Sequence, residues 1–336
     1  MTQGYPSHVA AFLKLTGQSV PIMQAPIGSA ATTALASAVS RAGALGGLAL
    51  TWADAKEAAS AVTELRTATE GRSFFGNFVL HFPCNGFDAA LEAGLPIITL
   101  SWGIDAGKVA RAHRAGALVG IQVGSASGVR KALDAGADFL IAQSNEAGGH
   151  VQSTTAAQDL LPSVLSEAAG LPVIFAGGIA NGEGVARAIV AGAAGVALGT
   201  RFVATVEAAA HDAYKSALVA ASAKDTVFTN CFDVGWPFAM HRVLRNDTLT
   251  EWEASGCPQA PNRPGEGEVV FQRGGETFPR YSDTPPMPGA VGSLQSACLY
   301  AGTGVGDIQS VEPAAALVAR LETDLTAALA NLGGQP

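Results

Sequence analysis

Residues 172–202 read PVIFAGGIANGEGVARAIVAGAAGVALGTRF, and the order of textures in this stretch decides the fold. PVIFA is an apolar run of strand length that meets two glycines, Gly177 and Gly178. A segment with Val185 and Ile189 at helical spacing follows and stops at Ala191-Gly192. A second apolar run, GVAL, then meets another glycine, Gly199. Strand, helix and strand in this order make a parallel crossover unit.

The same texture extends outward in both directions. Apolar runs begin at PIMQA (21–25), LGGLAL (45–50), FFGNFVL (74–80), PIITLSW (96–102), ALVGIQV (117–123) and ADFLIAQ (137–143), followed by PVIFAGG (172–178) and GVALGT (195–200). Between them lie helical spacings: Ala58, Val62 and Leu65 in the second connection, Val129 and Leu133 in the fifth with Ser125 at the N-cap. Ala-Gly pairs ending at Gly43, Gly94, Gly116, Gly136 and Gly192 suit helix ends, where glycine adopts the left-handed cap. Eight strand–helix units predict an α/β fold, a (β/α)8 TIM barrel with a smaller C-terminal cap or insert domain. An open doubly wound sheet is the alternative, and eight units with no break in strand order favour the barrel.

After about residue 222 the texture changes. The reading divides the chain into a barrel (1–222), a smaller cap or substrate domain (223–310), and a C-terminal helix that returns to the barrel (311–336). Residues 255–292 are rich in proline and glycine and predict a long loop rather than regular structure, with Trp236, Phe238, Trp252, Phe271, Phe278 and Tyr281 as apolar anchors. The last helix carries Pro313 in its first turn and Leu317, Leu321 and Leu325 as its buried stripe.

Composition excludes several classes. The 336 residues are 48% hydrophobic and 14% charged, with a net charge of −8 and no block of like charge, which argues against a nucleic-acid partner. No apolar run is long enough to span a membrane, and the N-terminus lacks the pattern of a secretory leader, so a cytoplasmic protein is expected. Four dispersed cysteines form no CxxC pair, and no HxxxH spacing appears, so no metal site is expected.

In a barrel of this class the strands deliver their C-terminal ends to the working face, and the loops after the seventh and eighth strands often hold a phosphate. Those loops are AGGIANGEG (176–184) and LGTRF (198–202). Gly177, Gly178 and Gly199 allow backbone N–H groups to face a cavity, and Thr200 adds a hydroxyl. A third glycine cluster, AGTGVGD (301–307), lacks the strand–helix setting of a dinucleotide fingerprint and reads as a turn before the last helix.

AQSNEAGGHVQ (142–152) follows the sixth strand and carries His150 to the same face. An imidazole there gives or takes a proton near neutral pH. His8, His81, His113, His211 and His241 read as surface or packing residues, Glu146 as a residue that fixes the loop, and Cys84 as a free buried thiol. With a phosphate pocket, one histidine and no GxSxG nucleophile elbow, the chemistry calls for a phosphate-bearing cofactor.

PIMQAP, ALASAVSRAGALGGLAL, GNF, AQSNEAGGH, the stretch 172–202 and HRVLRN together resemble the nitronate monooxygenase family, formerly called 2-nitropropane dioxygenase, over roughly residues 20–250, with a weaker echo at YAGTGVGDI (300–308). The resemblance implies an FMN-binding barrel. It maps cofactor contacts onto Gln24, Ala25, Asn77, Gln143, Gly148, Gly149, Ala197 and Leu198, and phosphate contacts onto Gly177, Gly178, Gly199 and Thr200. His150 takes the place of the catalytic histidine, as base or as the group that holds the anion, for which a protonated His150 or the backbone N–H groups of Gly148 and Gly149 supply the positive potential. The implied activity is oxidation of an alkyl nitronate, or of the nitroalkane that yields it, by dioxygen to a carbonyl compound and nitrite. The same pattern occurs in FMN enzymes that oxidise NAD(P)H and reduce quinones or an enoyl thioester, and a flavin-free barrel for a phosphorylated metabolite stands as a third reading. Val151-Gln152 departs from the family's Arg-Gly, and Ala197 from its glutamine. The oligomeric state, a homodimer included, stays open.

Overall fold

The structure is a computed structural model that describes residues 4–333; residues 1–3 and 334–336, counted above in the first and last segments, lie outside the described residues. Eight parallel strands appear where the eight apolar runs predict them: β1 (Ile22–Gln24), β2 (Gly46–Ala49), β3 (Phe74–Val79), β4 (Ile97–Ser101), β5 (Leu118–Val123), β6 (Phe139–Gln143), β8 (Val173–Ala176) and β9 (Gly195–Leu198). A two-residue strand, β7 (Gly149–His150), stands outside the barrel. The order around the sheet is β1-β9-β8-β6-β5-β4-β3-β2. A bridge between Met23 and Leu45 joins β1 to β2, with hydrogen bonds of 2.9 Å from Gln24 N–H to Leu45 O and from Leu45 N–H to Ile22 O. This leaves no free edge in the barrel.

Helices alternate with the strands: α1 (Ser7–Thr16), α2 (Thr33–Arg41), α3 (Ala55–Ala68), α4 (Phe87–Glu92), α5 (Ala106–Arg114), α6 (Ala126–Ala135), α7 (Ala157–Glu167), α8 (Gly182–Val190) and α9 (Thr200–Val203). Their starts follow from local chemistry. Asp54 and Glu57 form a reciprocal capping box on α3, and Ser125 and Asn181 accept N–H bonds at the starts of α6 and α8. Ala58, Val62 and Leu65 form the buried face of α3 as the spacing predicts.

The barrel interior is graded along its axis. Its lower part is filled by Phe75, Phe139, Leu45, Ile97 and Ile174, and Phe12 of α1 plugs the bottom, its ring 5.6 Å from that of Phe139. Glycines make room for the two large rings. A Cβ on Gly47 would lie 2.3 Å from the Phe75 ring, and one on Gly120 would lie 2.3 Å from the Phe139 ring. Each glycine is the cross-strand neighbour of the phenylalanine it accommodates.

The eighth strand is followed only by the four-residue α9, so another segment must cover that side of the barrel. α12 (Ala314–Gly333) does so by packing on α8 and α2, with Leu317, Leu321 and Leu325 fully buried. Gly182 permits the close approach, since a Cβ there would lie 2.3 Å from Asp324 Cβ. Arg201, 1% exposed, ties down the segment before α12. Its guanidinium donates to Ser310 O twice at 3.1 Å and to Glu312 Oε1 at 2.6 Å. Burial lowers the Arg201 pKa, and Glu312 works against that shift.

Residues between these parts form α10 (Asp212–Ala220), α11 (Asp247–Ala254) and two small antiparallel sheets. In one, β10 (Thr226–Thr229), β11 (His241–Leu244) and β7 lie side by side; in the other, β12 (Val269–Arg273) pairs with β13 (Glu276–Pro279) and β14 (Val291–Gly292). The second sheet corrects the expectation of an irregular loop over 255–292. Gly274 and Gly275, with φ of 57° and 87°, close a hairpin between β12 and β13, and Phe271 stacks on Phe278 with ring centroids 4.4 Å apart. The surrounding Pro/Gly-rich sequence hides that two-glycine turn. Of the predicted anchors, Trp236, Trp252, Phe271 and Tyr281 are buried and Phe278 is partly so, whereas Phe238 is 78% exposed. Among the described residues no helix is long and apolar enough to cross a membrane.

Removing Glu312 strands the buried Arg201 charge. Glu312→Ala is therefore expected to lower the unfolding free energy by about 3 kcal/mol in urea denaturation. A loss below about 1 kcal/mol would show that α12 docks without this bridge.

Candidate functional site

Above the aromatic plug the barrel is lined by small side chains. Met23, Ala49, Asn77, Thr99, Ile141, Ala176 and Ala197 form the floor of a cavity of about 510 Å3 at the C-terminal ends of the strands. One wall is backbone and a hydroxyl, from Gly148, Gly149, Gly199 and Thr200. Another is aromatic, from Trp52, Phe82, Trp102, Trp236 and Tyr300. Among the described residues, no lysine or arginine lines the cavity.

His150 enters this space because β7 pairs with β11, which sets His150 opposite His241 and lets Val151 N–H donate to Met240 O at 2.9 Å. The loop before it is fixed as Glu146 predicts. That carboxylate accepts from the Ser144 hydroxyl and from Ala157 N–H, at 2.9 and 3.1 Å for the latter. Arg242 Nε donates to Asn145 O at 2.7 Å. The His150 ring lies among Trp236 (4.5 Å between centroids), Tyr300 (5.4 Å), His241 (5.4 Å) and Trp102 (6.5 Å). Its Nε2 is buried and has no hydrogen-bond partner among the described residues. An orphaned imidazole nitrogen on a cavity wall is costly unless a ligand meets it.

Burial lowers the His150 pKa to about 3, and His241 adds to the shift. His241 is fully buried; its Nε2 accepts from Phe232 N–H at 3.2 Å and its Nδ1 faces Ala239 O at 2.9 Å. Since an N–H must meet an acceptor, the proton sits on Nδ1 and the ring is neutral. Burial lowers its pKa to about 4, against the Ala239 hydrogen bond and Asp233. His241 is thus the packing residue expected of it. His150, however, is neutral at ordinary pH, so the expectation of a protonated His150 that holds an anion is corrected: the desolvated ring cannot keep the charge. The carboxyl group in the wall is Asp283, raised to about 6 by burial and by Asp233, with its own backbone N–H and Thr284 working against the rise.

The expected site residues divide into three groups. Ala25, Asn77, Gln143, Gly148, Gly149, His150, Ala197, Gly199 and Thr200 line the cavity together. Gln24 and Leu198 do not. The Gln24 side chain is fully buried, with Nε2 donating to Gly47 O at 2.9 Å and Oε1 unpartnered, and Leu198 packs in the core outside the barrel. Gly177 and Gly178, with φ of 131° and 69°, lie behind the 144–148 loop. A Cβ on Gly177 would lie 2.2 Å from Ser144 Oγ, and one on Gly178 would lie 2.8 Å from Thr303 Oγ1.

The AGTGVGD turn proves to be part of this packing. It forms a 3-10 turn over Thr303–Asp307. Gly302 N–H donates to Thr200 Oγ1 at 2.9 Å, and Thr303 N–H donates to Glu146 O at 3.0 Å. A Cβ on Gly148 would lie 2.5 Å from Gly302 N. Four backbone segments therefore meet here more closely than side chains allow.

Three glutamines were not read together. Gln122 Nε2 donates to Gln143 Oε1 at 2.9 Å and to Gln152 Oε1 at 3.2 Å, and Gln143 Nε2 donates to His150 O at 3.3 Å. Gln152, one of the two departures beside His150, thus holds Gln122 against Gln143. Trp102 carried a signal, since it ends the fourth strand run at the working face. Trp236, Asp283 and Tyr300 reach the cavity from distant sequence; Trp236 reads there only as an apolar anchor, Tyr300 only as the first residue of the 300–308 echo, and Asp283 carries no signal.

The family comparison agrees with this geometry. The model described as nitronate monooxygenase matches residues 87–324. A Mycobacterium tuberculosis protein named (3aS,4S,5R,7aS)-5-hydroxy-7a-methyl-1-oxo-octahydro-1H-indene-4-carboxyl-CoA dehydrogenase is 36% identical over 249 residues, covering 72% of this chain and 67% of that one. FabK from Thermotoga maritima superposes with a TM-score of 0.79 at 29% identity, over 96% of this chain and 98% of its own. A nitroalkane oxidase from Streptomyces ansochromogenes superposes at 0.75 and 29% identity, over 95% and 99%. An eight-stranded barrel, a glycine-and-histidine loop at its C-terminal face and a family match across most of the chain converge on one assignment: this chain belongs to the nitronate monooxygenase family, whose members typically depend on FMN.

Proposed function

We propose that this oxidoreductase uses FMN to oxidise a nitroalkane, through its nitronate, with dioxygen to a carbonyl compound and nitrite. The observation that carries the proposal is the buried, unpartnered Nε2 of a neutral His150 on the cavity wall. The cavity fits the cofactor. Its volume of about 510 Å3 lies within the range of ligand sites, and no side chain beyond the Thr200 hydroxyl projects from the glycine wall. Gly148, Gly149, Gly199 and Thr200 would hold the phosphate side, with Ala25, Asn77, Gln143 and Ala197 against the ring; Gly177 and Gly178 support that wall from behind. When bound, FMN supplies the electron acceptor that these side chains lack.

The substrate best suited to this wall enters neutral, because no cation awaits an anion. His150 Nε2 takes the proton from the carbon that bears the nitro group; the C–H bond breaks, an N–H bond forms, and its electron pair passes into the nitronate. A base with a pKa of about 3 is weak on its own. The nitronate that forms beside it changes the balance: opposite charges about 4 Å apart at an effective dielectric of ~20 gain about 4 kcal/mol, or roughly three pKa units. The aromatic wall excludes the water that would screen this pair. The carboxyl-CoA dehydrogenase named above favours a rival substrate, a CoA thioester on the same barrel, and an NAD(P)H-oxidising reductase is the other alternative.

Anaerobic mixing separates the readings. Bleaching of the flavin absorbance by nitroethane or its nitronate, but not by NADH or NADPH, is expected; the reverse selects the reductase. His150→Asn is expected to retain flavin and to slow reduction by nitroethane about 100-fold while sparing preformed nitronate. An equal loss for both substrates would remove His150 from the base role.

The neutral state of His150 also has a stability signature. Between pH 6.5 and about 3 the unfolded chain binds the His150 proton and the folded chain does not, so stability falls as pH drops. The slope for one such histidine is about 1.4 kcal/mol per pH unit. His241 adds to it down to about pH 4, and Asp283 opposes it between 3.8 and about 6. In flavin-free protein, His150→Asn is therefore expected to flatten urea-derived stability by about 1.4 kcal/mol per unit between pH 6 and 4 relative to the parent. Parallel curves would place the His150 pKa near its ordinary value.

A further inference from the structure

Asp283 is a half-buried carboxyl group that the proposed chemistry does not use. It lines the same cavity as His150, one aromatic layer away. Trp236, whose ring lies 4.5 Å from that of His150, follows Gly235 in sequence, and Tyr300, at 5.4 Å from His150, donates its hydroxyl to Asp283 O at 2.6 Å. The Asp283 main chain is fixed on its other side by its N–H bond to Val234 O at 3.0 Å. The carboxylate lies directly on Gly235, where a Cβ would sit 2.2 Å from Oδ1 and 2.7 Å from Oδ2. Gly235 has a φ of 121°, so its backbone conformation and the space taken by the Asp283 side chain both require glycine at 235.

No cation compensates it. Burial, its own N–H, Thr284 and the like charge of Asp233 are the influences on Asp283, and Asp233 is itself engaged by Arg263. The two tyrosines nearby, Tyr214 and Tyr300, spend their hydroxyls on backbone carbonyls. A half-buried, pre-positioned carboxylate with no cation beside it among the described residues gains from a ligand that brings a donor to it.

We propose that Asp283 is a specificity residue of this cavity, which recognises an ammonium or hydroxyl group on a substrate whose reacting carbon faces His150 and rejects a substrate that carries a carboxylate at that position. This rests on the reading that the cavity is the substrate site, and it narrows the substrate class from simple nitroalkanes to carbon acids that bear a hydrogen-bond donor. The acid then adds selectivity through charge, where the aromatic wall adds it through shape.

The test is equilibrium binding to the protein as purified, read from quenching of its tryptophan fluorescence at pH 8. Three probes share one ring: cyclohexylmethylamine, cyclohexylmethanol and cyclohexanecarboxylate. The ammonium is expected to bind at least about tenfold more tightly than the carboxylate, with the alcohol between them. Asp283→Asn is expected to compress that ratio below about threefold while leaving the alcohol within about threefold of its parent affinity. An unchanged ratio in the variant overturns the proposal, as does a parent protein that binds the carboxylate as well as the ammonium or binds none of the three. If Asp283→Asn fails to fold, Asp283→Ser takes its place, and the ranking in the parent protein already decides against the proposal when the ammonium has no advantage. No turnover enters this readout, so failure to oxidise nitroethane would defeat the function proposed above without touching the ranking.

Discussion

The barrel has a fixed supply of interior space, and this chain distributes it unevenly. Phenylalanines at 75 and 139, seated in the gaps left by Gly47 and Gly120, fill the lower part, and Phe12 of the N-terminal helix closes the bottom. Alanines at 25, 49, 176 and 197 then leave the upper part open. A uniformly packed interior would be more stable by the hydrophobic area it buries but would have no cavity. Everything at the working face depends on this gradient, because the same strand ends deliver both the floor of the cavity and the loops around it.

The second constraint is the meeting of four backbone segments at the glycine wall. Gly148 packs on Gly302, Gly177 on Ser144, Gly178 on Thr303, and Gly304 against the Gly178 carbonyl. A Cβ at any of these positions would lie under 3 Å from its neighbour. The sequence around 177–178 invites a phosphate-binding reading by itself. The structure adds a packing reason for the same residues, and Gly148, Gly149, Gly199 and Thr200 join them at the mouth, where these four line the cavity. One glycine pair thus serves the shape of the site from behind, and another presents backbone to it.

What was legible in the sequence follows from the range of the interactions. All eight barrel strands could be read because each is a short, almost wholly buried run bounded by polar or glycine residues, and the α3 face could be read because Ala58, Val62 and Leu65 repeat at helical spacing. His150 and its loop could be read because glycine, acid and histidine lie within a few residues of one strand end. The aromatic and acidic wall could not. Trp236, Asp283 and Tyr300 lie 86, 133 and 150 residues beyond His150 and reach it only through the β10-β11-β7 sheet and the turns packed on it. Gln24 and Leu198 show the limit at shorter range. They adjoin cavity residues in sequence, but strand alternation turns the Leu198 side chain into the outer core, and Gln24 is engaged by the Gly47 carbonyl.

The two ionisable groups of the cavity differ in kind, and the difference is imposed by burial rather than by any ion pair. Desolvation favours the neutral form of both, which lowers the histidine and raises the acid. At neutral pH the histidine stays without charge while the acid, raised only to about 6, is mostly ionised. The cavity therefore combines an uncharged acceptor of protons with a fixed negative charge, and it has no cation to balance either. Such a field opposes the approach of an anion and stabilises a histidine that becomes protonated during the reaction. On the function proposed above, a neutral carbon acid suits this field better than a preformed nitronate, because its negative charge would form only beside His150. Under that proposal, a wall whose described residues include no arginine or lysine reserves charge separation for the moment of proton transfer.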